Sequence, residues 1–501
     1  MQTKEKAVTF VFGNPYAIRN ACDAKVLVAC YEDDEITQDV AADLLNGRFK
    51  AHGHLPVSVC TEWKAGAGIT DSTPLLPFTG PKELGMNAKK LAGIDAICQE
   101  AIDKKAAPGC VVLVARHGKI AYEKAFGFMT YDRKEPVYKE TLYDMASCTK
   151  ICATTMAVMK LYDEGRLDVQ KTLGDYLPSV RGSDKDTLRI SDILMHQAGL
   201  VADVVFYKET VDSSKEQYPL PWFFAQKPDS THSVRVAENL YLRNDWRDTM
   251  DLRIRQSPLG PKKYVYSDND FIYMGEMVEA ITGMTLDQYV KTTFYDSLDM
   301  VSTGFKPRDR FPLGRIAPTA DEPIFRHQLI RGDVHDPGAA MFGGVAGHAG
   351  LFSDAYDLAV LEEMLLSGGA FNGHQFLKPS TIDFFTAYHS DISRRGMGFD
   401  KPEKDNATRK EPYPCLSASP QTFGHTGFTG TCVWVDPKYE LIYIFLSNRV
   451  NPVENNPRLS SLLIRGRIQE TIYQSMGVDP HANTKDPVPE KKKKHRKKHQ
   501  A

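Results

Sequence analysis

No run of apolar residues in this 501-residue chain comes near the 18 or so that a membrane-spanning helix requires. The longest, such as Leu441–Leu446, have the length of strands, so a helical membrane protein is excluded. The nine cysteines (Cys22, Cys30, Cys60, Cys98, Cys110, Cys148, Cys152, Cys415 and Cys432) are odd in number, scattered, and form no C-x-x-C pair. That excludes a zinc ribbon or thioredoxin-like centre; single disulfides stay open, although a chain of this size needs no disulfide framework. H-E-x-x-H, a P-loop and any His, Cys, Asp and Glu cluster at zinc spacing are all missing, so no metal, nucleotide or other cofactor is expected. Net charge is small as well. The formal total is −2, and Lys491–Lys494, Arg496, Lys497 and Lys498 alone carry seven positive charges; taking those away leaves −9 on the rest. A mildly acidic body is not expected to bind nucleic acid. The opening MQTKEKAVTFVFGNPYAI has neither an adequate apolar run nor a small-residue cleavage site, so no secretory signal is expected in the chain as written.

What is present is globular material: 42% hydrophobic, 10% aromatic and 25% charged residues, in a chain long enough for several units. Residues 1–70 alternate strand and helix signals. Val8–Phe12, Lys25–Ala29 and Leu55–Val59 read as strands, and Thr37–Leu45 as a helix closed by Asn46-Gly47. Residues 71–86, rich in proline and glycine, read as a linker. A longer unit at 87–478 opens with a helix over Ala88–Lys105. It continues with a hairpin, Cys110–Ala115 and Ile120–Phe128, and ends with strands Thr431–Val435 and Leu441–Leu446 and a helix over Leu459–Met476. Early strands, a helical middle and late strands make an α+β layout, in which the first and last strands join one antiparallel sheet covered by helices. Residues 479–501 lose apolar periodicity and are expected to be a disordered basic tail.

The sharpest chemical signal is Ser147-Cys148-Thr149-Lys150, followed by Ile151, Met156, Met159 and Leu161 at helical spacing. Ser147 then sits near a helix N-terminus with Lys150 one turn on, so the amine reaches the hydroxyl. A desolvated lysine can activate a serine, and the helix N-terminus favours developing negative charge. No other serine here has lysine three residues on, yet a capping serine before a solvated lysine is an ordinary helix start. Two further stretches bear on the choice. Tyr264-Val265-Tyr266-Ser267-Asp268-Asn269-Asp270 precedes a helix over Phe271–Thr282, and Gly424-His425-Thr426-Gly427-Phe428-Thr429-Gly430 leads into a strand. Tyr266 reads equally as a packing residue when taken alone.

Ser-x-x-Lys, Tyr-Ser-Asp and His-Thr-Gly, in that order, resemble the motifs of serine β-lactamases and penicillin-binding proteins. LRISDILMHQAGL (188–200), GVAGHAGLFSDAYDLA (344–359) and FGHTGFTGTCVWVDP (423–437) resemble the class C β-lactamase, D-alanyl carboxypeptidase and esterase branch. The resemblance spans nearly all of 87–478. It implies an antiparallel sheet flanked by helices with a helical subdomain, and no cofactor. It implies Ser147 as nucleophile, Lys150 as its proton acceptor or electrostatic partner, and Tyr266 as proton shuttle. His425 joins the catalytic set, Ser147 and Phe428 supply backbone oxyanion donors, and Asp268, Thr426 and Gly427 line the substrate site. His425 stands where lysine is frequent, and Asp268 where asparagine is frequent; both depart from efficient β-lactam hydrolysis. His196 and His348 are weaker candidates for the pocket, and Cys148 is expected to be a buried small hydrophobe.

Residues 1–70, through FGNPYAI (12–18), VLVACYEDDEITQDVAADLLNG (26–47) and GHLPVSV (53–59), resemble the C-terminal end of the second domain of family 3 glycoside hydrolases, of the β-N-acetylhexosaminidase type. Only the end of that domain is covered, so glycosidase activity is not expected. The expectation is a metal-independent serine hydrolase acting on an ester or a D-amino-acid peptide, with peptidoglycan fragments among its substrates and a bacterial envelope setting implied by resemblance. The competing expectation is a catalytically silent binding module of a glycoside hydrolase fusion.

Overall fold

The structure, a computed structural model, describes residues 7–45, 53, 55–68 and 75–479. It divides into two compact units, Met1–Pro77 and Phe78–Ala501. In the first, strands Thr9–Phe12 and Leu27–Cys30 pair in parallel through the crossover Pro15–Ala21, and the helix Glu35–Leu45 follows. Leu55–Val59, expected as a strand, forms none. Its backbone closes local turns (Leu55 N–H to the Ala67 carbonyl, Val59 N–H to that of Trp63), and Leu55 and Val59 pack on Ile18. Cys22 and Cys60 form a disulfide with a Cα separation of 6.4 Å. The Asn46-Gly47 helix end, part of the linker and nearly all of the basic tail lie outside the described residues.

The second unit is built on a five-stranded antiparallel sheet in the spatial order Phe423–Thr426, Cys432–Asp436, Leu441–Ser447, Gly109–Arg116, Lys119–Gly127. First and last strands thus share one sheet, as their composition leads one to expect. The central strands, GCVVLVAR and LIYIFLS, are apolar at almost every position because both faces are covered. On one face Val112, Val114, Tyr443, Phe445 and Trp434 pack with Ile94 and Cys98 of the helix Gly93–Asp103 and with Ile464, Ile468 and Ile472 of Ile464–Ser475. The other face takes the helix Ala355–Leu366. Both terminal helices are broken where single helices are expected: at Ala92, between Ala88–Leu91 and Gly93–Asp103, and at Leu463, whose φ of 52° ends Arg458–Ser461 before Ile464–Ser475 begins.

A helical subdomain of Met156–Asp163, Ile190–Leu194, Asp268–Thr282 and Leu286–Val290 packs beside the sheet. A short three-stranded sheet, Tyr143–Asp144, Leu351–Ser353 and Gly304–Phe305, lies next to the turn that carries Ser147. The edge strand Phe423–Thr426 packs against that same turn from the main sheet.

Phe445 stands on the central strand opposite Cys432 and Val112, with no exposed surface. Phe445→Ala is expected to destabilise this unit by about 3–5 kcal/mol through lost burial and the cavity left behind. Chemical denaturation of the two proteins, followed by circular dichroism, checks this.

Candidate active site

Ser147 does not open a regular α-helix. It lies in the short 3₁₀ turn Ala146–Cys148, followed by a π-helix over Lys150–Thr155 and only then by the α-helix Met156–Asp163. Ala146 has φ +46°, so the residue before the serine is held in left-handed backbone. The turn is fastened on every side. The Asp144 carboxylate accepts from Ala146 N–H (2.9 Å) and His335 N–H (2.7 Å), and burial raises its pKa to about 6. The Thr429 hydroxyl donates to the Asp144 carbonyl (2.7 Å) and that of Thr431 to the Met145 carbonyl (3.1 Å). Cys148, fully buried as expected, lies 3.6 Å from the His425 carbonyl and 3.7 Å from the Thr431 hydroxyl.

Lys150 is entirely buried, and its three N–H groups meet three acceptors: Ser147 Oγ at 3.0 Å, Asp268 Oδ1 at 2.7 Å and the His348 carbonyl at 3.2 Å. Gly347 permits the last contact, because a Cβ there would lie 1.9 Å from the Phe271 carbonyl. Burial pulls the Lys150 pKa down, but Asp268 and Tyr266 outweigh it and hold it above the ordinary lysine value. Lys150 is therefore charged at rest, an electrostatic partner of Ser147 and not a free base. The Tyr266 hydroxyl donates to Ser147 Oγ at 2.8 Å, and Tyr266 also stays protonated, its pKa raised by burial against the opposing effect of Lys150.

Asp268, expected on the substrate surface, begins the helix Asp268–Thr282 and places its carboxylate on Lys150. His425, expected among the catalytic groups, stands beside Tyr266 with ring centroids 6.0 Å apart, and both its ring nitrogens are engaged by other partners. In the tautomer that satisfies both contacts, Nδ1–H donates to the Thr426 carbonyl (2.7 Å) and Nε2 accepts from Arg395 Nη1 (3.0 Å). Burial first, and then the Arg395 charge, lower its pKa to about 3. Arg395, which is 3% exposed and lies 5.3 Å from the Tyr266 ring centroid, places a permanent cation beside the His-Thr-Gly strand. Arg395 Nη2 reaches Tyr264 Oη (3.2 Å) and Nε lies 3.6 Å from Asp400, whose carboxylate is also held by Arg394 at 2.7 and 3.1 Å.

Gly427 works through its missing side chain: a Cβ would stand 2.1 Å from Thr431 Oγ1 and 2.6 Å from the Met145 carbonyl, so only glycine lets the strand end close on the turn. The next residue, Phe428, has a half-exposed ring flanked by the Arg449 guanidinium at 4.6 Å and by His335 at 6.0 Å. The Thr426 side chain is partly exposed at the end of the same strand. His196 lies behind Tyr266 (ring centroids 4.6 Å) and bonds Asp270 at 2.8 Å, while His348 Nε2 bonds Asp336 at 2.9 Å. Both histidines hold neighbouring groups in place. Sequence reasoning missed Arg395, Asp144, Thr429 and Thr431. The two threonines stand inside the third motif's own stretch, but Arg395 lies 30 residues before His425 with no spacing signal to announce it.

The chain matches the Beta-lactamase family over residues 94–464 and belongs to that family of serine hydrolases. It is 33% identical over 429 residues to a Salmonella enteritidis PT4 protein named "Putative D-alanyl-D-alanine carboxypeptidase", covering 80% of this chain and 92% of that one. Among solved structures it is similar to EstCE1, described as a hydrolase with promiscuous acyltransferase activity (TM-score 0.55, 20% identity, 77% of this chain and 99% of that one). It is also similar to a class C β-lactamase from Rhodobacter sphaeroides (TM-score 0.53, 18% identity, 76% and 99%). The fold is accordingly that of β-lactamases and penicillin-binding proteins, as its motifs imply.

The depressed His425 pKa has a measurable consequence. Its folded value of about 3 lies below the unfolded value of about 6.5, so the unfolded chain takes up the proton first. The stability tied to neutral His425 is whole above about pH 6.5 and is lost as pH falls towards 3, by about 1.4 kcal/mol per pH unit. In thermal melts between about pH 7.5 and 5, Tm should fall less in His425→Gln than in the wild type.

Proposed function

We propose that the chain is a hydrolase that forms an acyl-enzyme on Ser147 and acts on a D-amino-acid peptide or a small ester bearing a carboxylate. The reading rests on one arrangement: Ser147 Oγ held between the Lys150 ammonium at 3.0 Å and the Tyr266 hydroxyl at 2.8 Å. With both neighbours protonated, the proton moves in relay. Oγ bonds to the substrate carbonyl carbon; its proton passes to the Tyr266 oxygen as Tyr266 gives its own to the leaving nitrogen or oxygen, and that bond breaks. Lys150 stabilises the alkoxide as it develops. Water then attacks the ester by the reverse route and frees Ser147.

The backbone N–H groups of Ser147 and Phe428 hold the carbonyl oxyanion, an effect worth roughly 10²–10³ in rate for each donor. Thr426 and Arg395 receive the substrate carboxylate, and this favours the carboxypeptidase reading over a simple esterase. The name carried by the Salmonella relative supports the same choice. Asp268 acts through Lys150, and His425 through Arg395. Peptidoglycan stem peptides in a bacterial envelope are the substrate class this chemistry suits. We further assign residues 87–478 to the hydrolase, and 1–70 to a fragment of a family 3 glycoside hydrolase domain without activity of its own. The parallel strand pair with its crossover supports that second assignment.

Intact mass after treatment with a fluorophosphonate probe tests the nucleophile. The wild type should gain one adduct and Ser147→Ala none; folded wild type without an adduct would turn the assignment towards a silent binding module. Arg395→Gln should raise KM for a D-alanyl peptide with a free carboxylate by roughly 10–100-fold, the worth of a charged hydrogen bond, and leave neutral esters nearly unchanged. Steady-state kinetics on both substrates checks this.

A further inference from the structure

His196 is joined at three points to the segment that carries Tyr266. Its backbone carbonyl accepts from Val265 N–H at 2.9 Å, and its ring Nδ1 accepts from Ser267 N–H at 3.2 Å. Between these two contacts the imidazole packs against the phenol, with ring centroids 4.6 Å apart. Both neighbours of Tyr266 are thus tied to one histidine, itself held in left-handed backbone at φ +56°. The ring has a further partner in the first turn of the helix Asp268–Thr282: Asp270 places Oδ2 2.8 Å from the same Nδ1. Both His196 and Asp270 are 1% exposed.

The two partners of Nδ1 fix where the hydrogens lie. A backbone N–H can only donate, so Nδ1 presents its lone pair to Ser267 and the neutral ring carries its hydrogen on Nε2. An ionised carboxylate can only accept, and at 2.8 Å from a bare ring nitrogen it would set one lone pair against another. A carboxylic acid resolves the contact by donating its own hydrogen to Nδ1. Asp270 Oδ1, buried with no partner among the described residues, fits the same assignment, because an orphaned oxygen costs less in a neutral acid than in an anion. The surrounding charges agree. Burial first, and then Arg395, Lys150 and His425, disfavour an imidazolium at His196. At Asp270 burial and the Asp268 charge disfavour a carboxylate and outweigh the pull of Lys150.

We propose that Asp270, as a neutral carboxylic acid donating to His196 Nδ1, is a positioning residue for Tyr266: it fixes the imidazole that holds the phenol against Ser147 Oγ. The role rests on the relay through Tyr266 proposed above, whereas the direction of the hydrogen bond does not. Loss of the bond frees the ring and, with it, the phenol. The cost then falls on proton transfer and not on the hold of Thr426 and Arg395 on the substrate carboxylate.

Asp270→Asn and Asp270→Leu test this in the full chain. Asparagine is neutral and keeps an N–H for Nδ1; leucine, of similar size, has none. In steady-state kinetics on a D-alanyl peptide, Asp270→Leu should lower kcat by roughly 10–100-fold and change KM by less than about threefold, since a displaced relay group slows the chemical step alone. Asp270→Asn should bring kcat back to within about threefold of the wild type. At neutral pH the infrared difference spectrum, wild type minus Asp270→Asn, should show the carbonyl stretch of a protonated carboxylic acid. A carboxylate stretch in its place, a loss in Asp270→Asn as large as in Asp270→Leu, or unchanged kcat in folded Asp270→Leu each overturns the proposal. Where Asp270→Leu does not fold, the spectrum and the kinetics of Asp270→Asn decide it. A folded wild type that takes no fluorophosphonate adduct sinks the hydrolase reading and the role of Tyr266 with it, while the spectrum still decides which atom holds the hydrogen.

Discussion

A lysine ammonium with no exposed surface is the constraint around which this hydrolase is organised. Taking such a charge out of water costs several kcal/mol even after relaxation, and only close partners offset it. Lys150 obtains them from three separate parts of the chain: the turn that carries Ser147, the start of the helix Asp268–Thr282, and the loop that delivers the His348 carbonyl. Each contact demands local geometry that would otherwise be unfavourable. The π-turn after Ser147, glycine at 347 and an acid at 268 make sense together as the conditions for one nitrogen.

The charge also governs its surroundings. Tyr266 lies between two cations, with Lys150 Nζ 4.9 Å and Arg395 Cζ 5.3 Å from its ring centroid. In that field, and deprived of water, His425 and His196 are pushed towards the neutral form. The centre therefore has no histidine available as base. In the proposed relay the proton passes through a phenol whose pKa is raised by burial and opposed by the two cations beside it.

Much of this was legible in the sequence. Apolar strands, hairpin turns and the three ordered motifs announce the sheet, its flanking helices and the grouping of Ser147, Lys150 and Tyr266, because those signals are local. The failures have a common cause in tertiary context. Leu55–Val59 has strand composition but spends its backbone on local turns. His425 reads as a motif residue, whereas its nitrogens are claimed by a distant arginine and by its neighbour's carbonyl. Arg395 carries no local signal at all, because what makes it a site residue is the approach of two segments across a buried interface.

The left-handed residue before the serine bears on the order in which the molecule is made. Ala146 holds a conformation that costs about 1–2 kcal/mol for a residue other than glycine, so a free segment does not keep it. What imposes it arrives late: the Thr429 and Thr431 bonds to the turn span 285 and 286 positions of chain. Contacts of such separation form only after the entropy of closing that loop has been overcome. A nascent chain emerging from the ribosome thus lacks the bonds from Thr429 and Thr431 that fasten the Ser147 turn until the last sheet strands have been synthesised and docked.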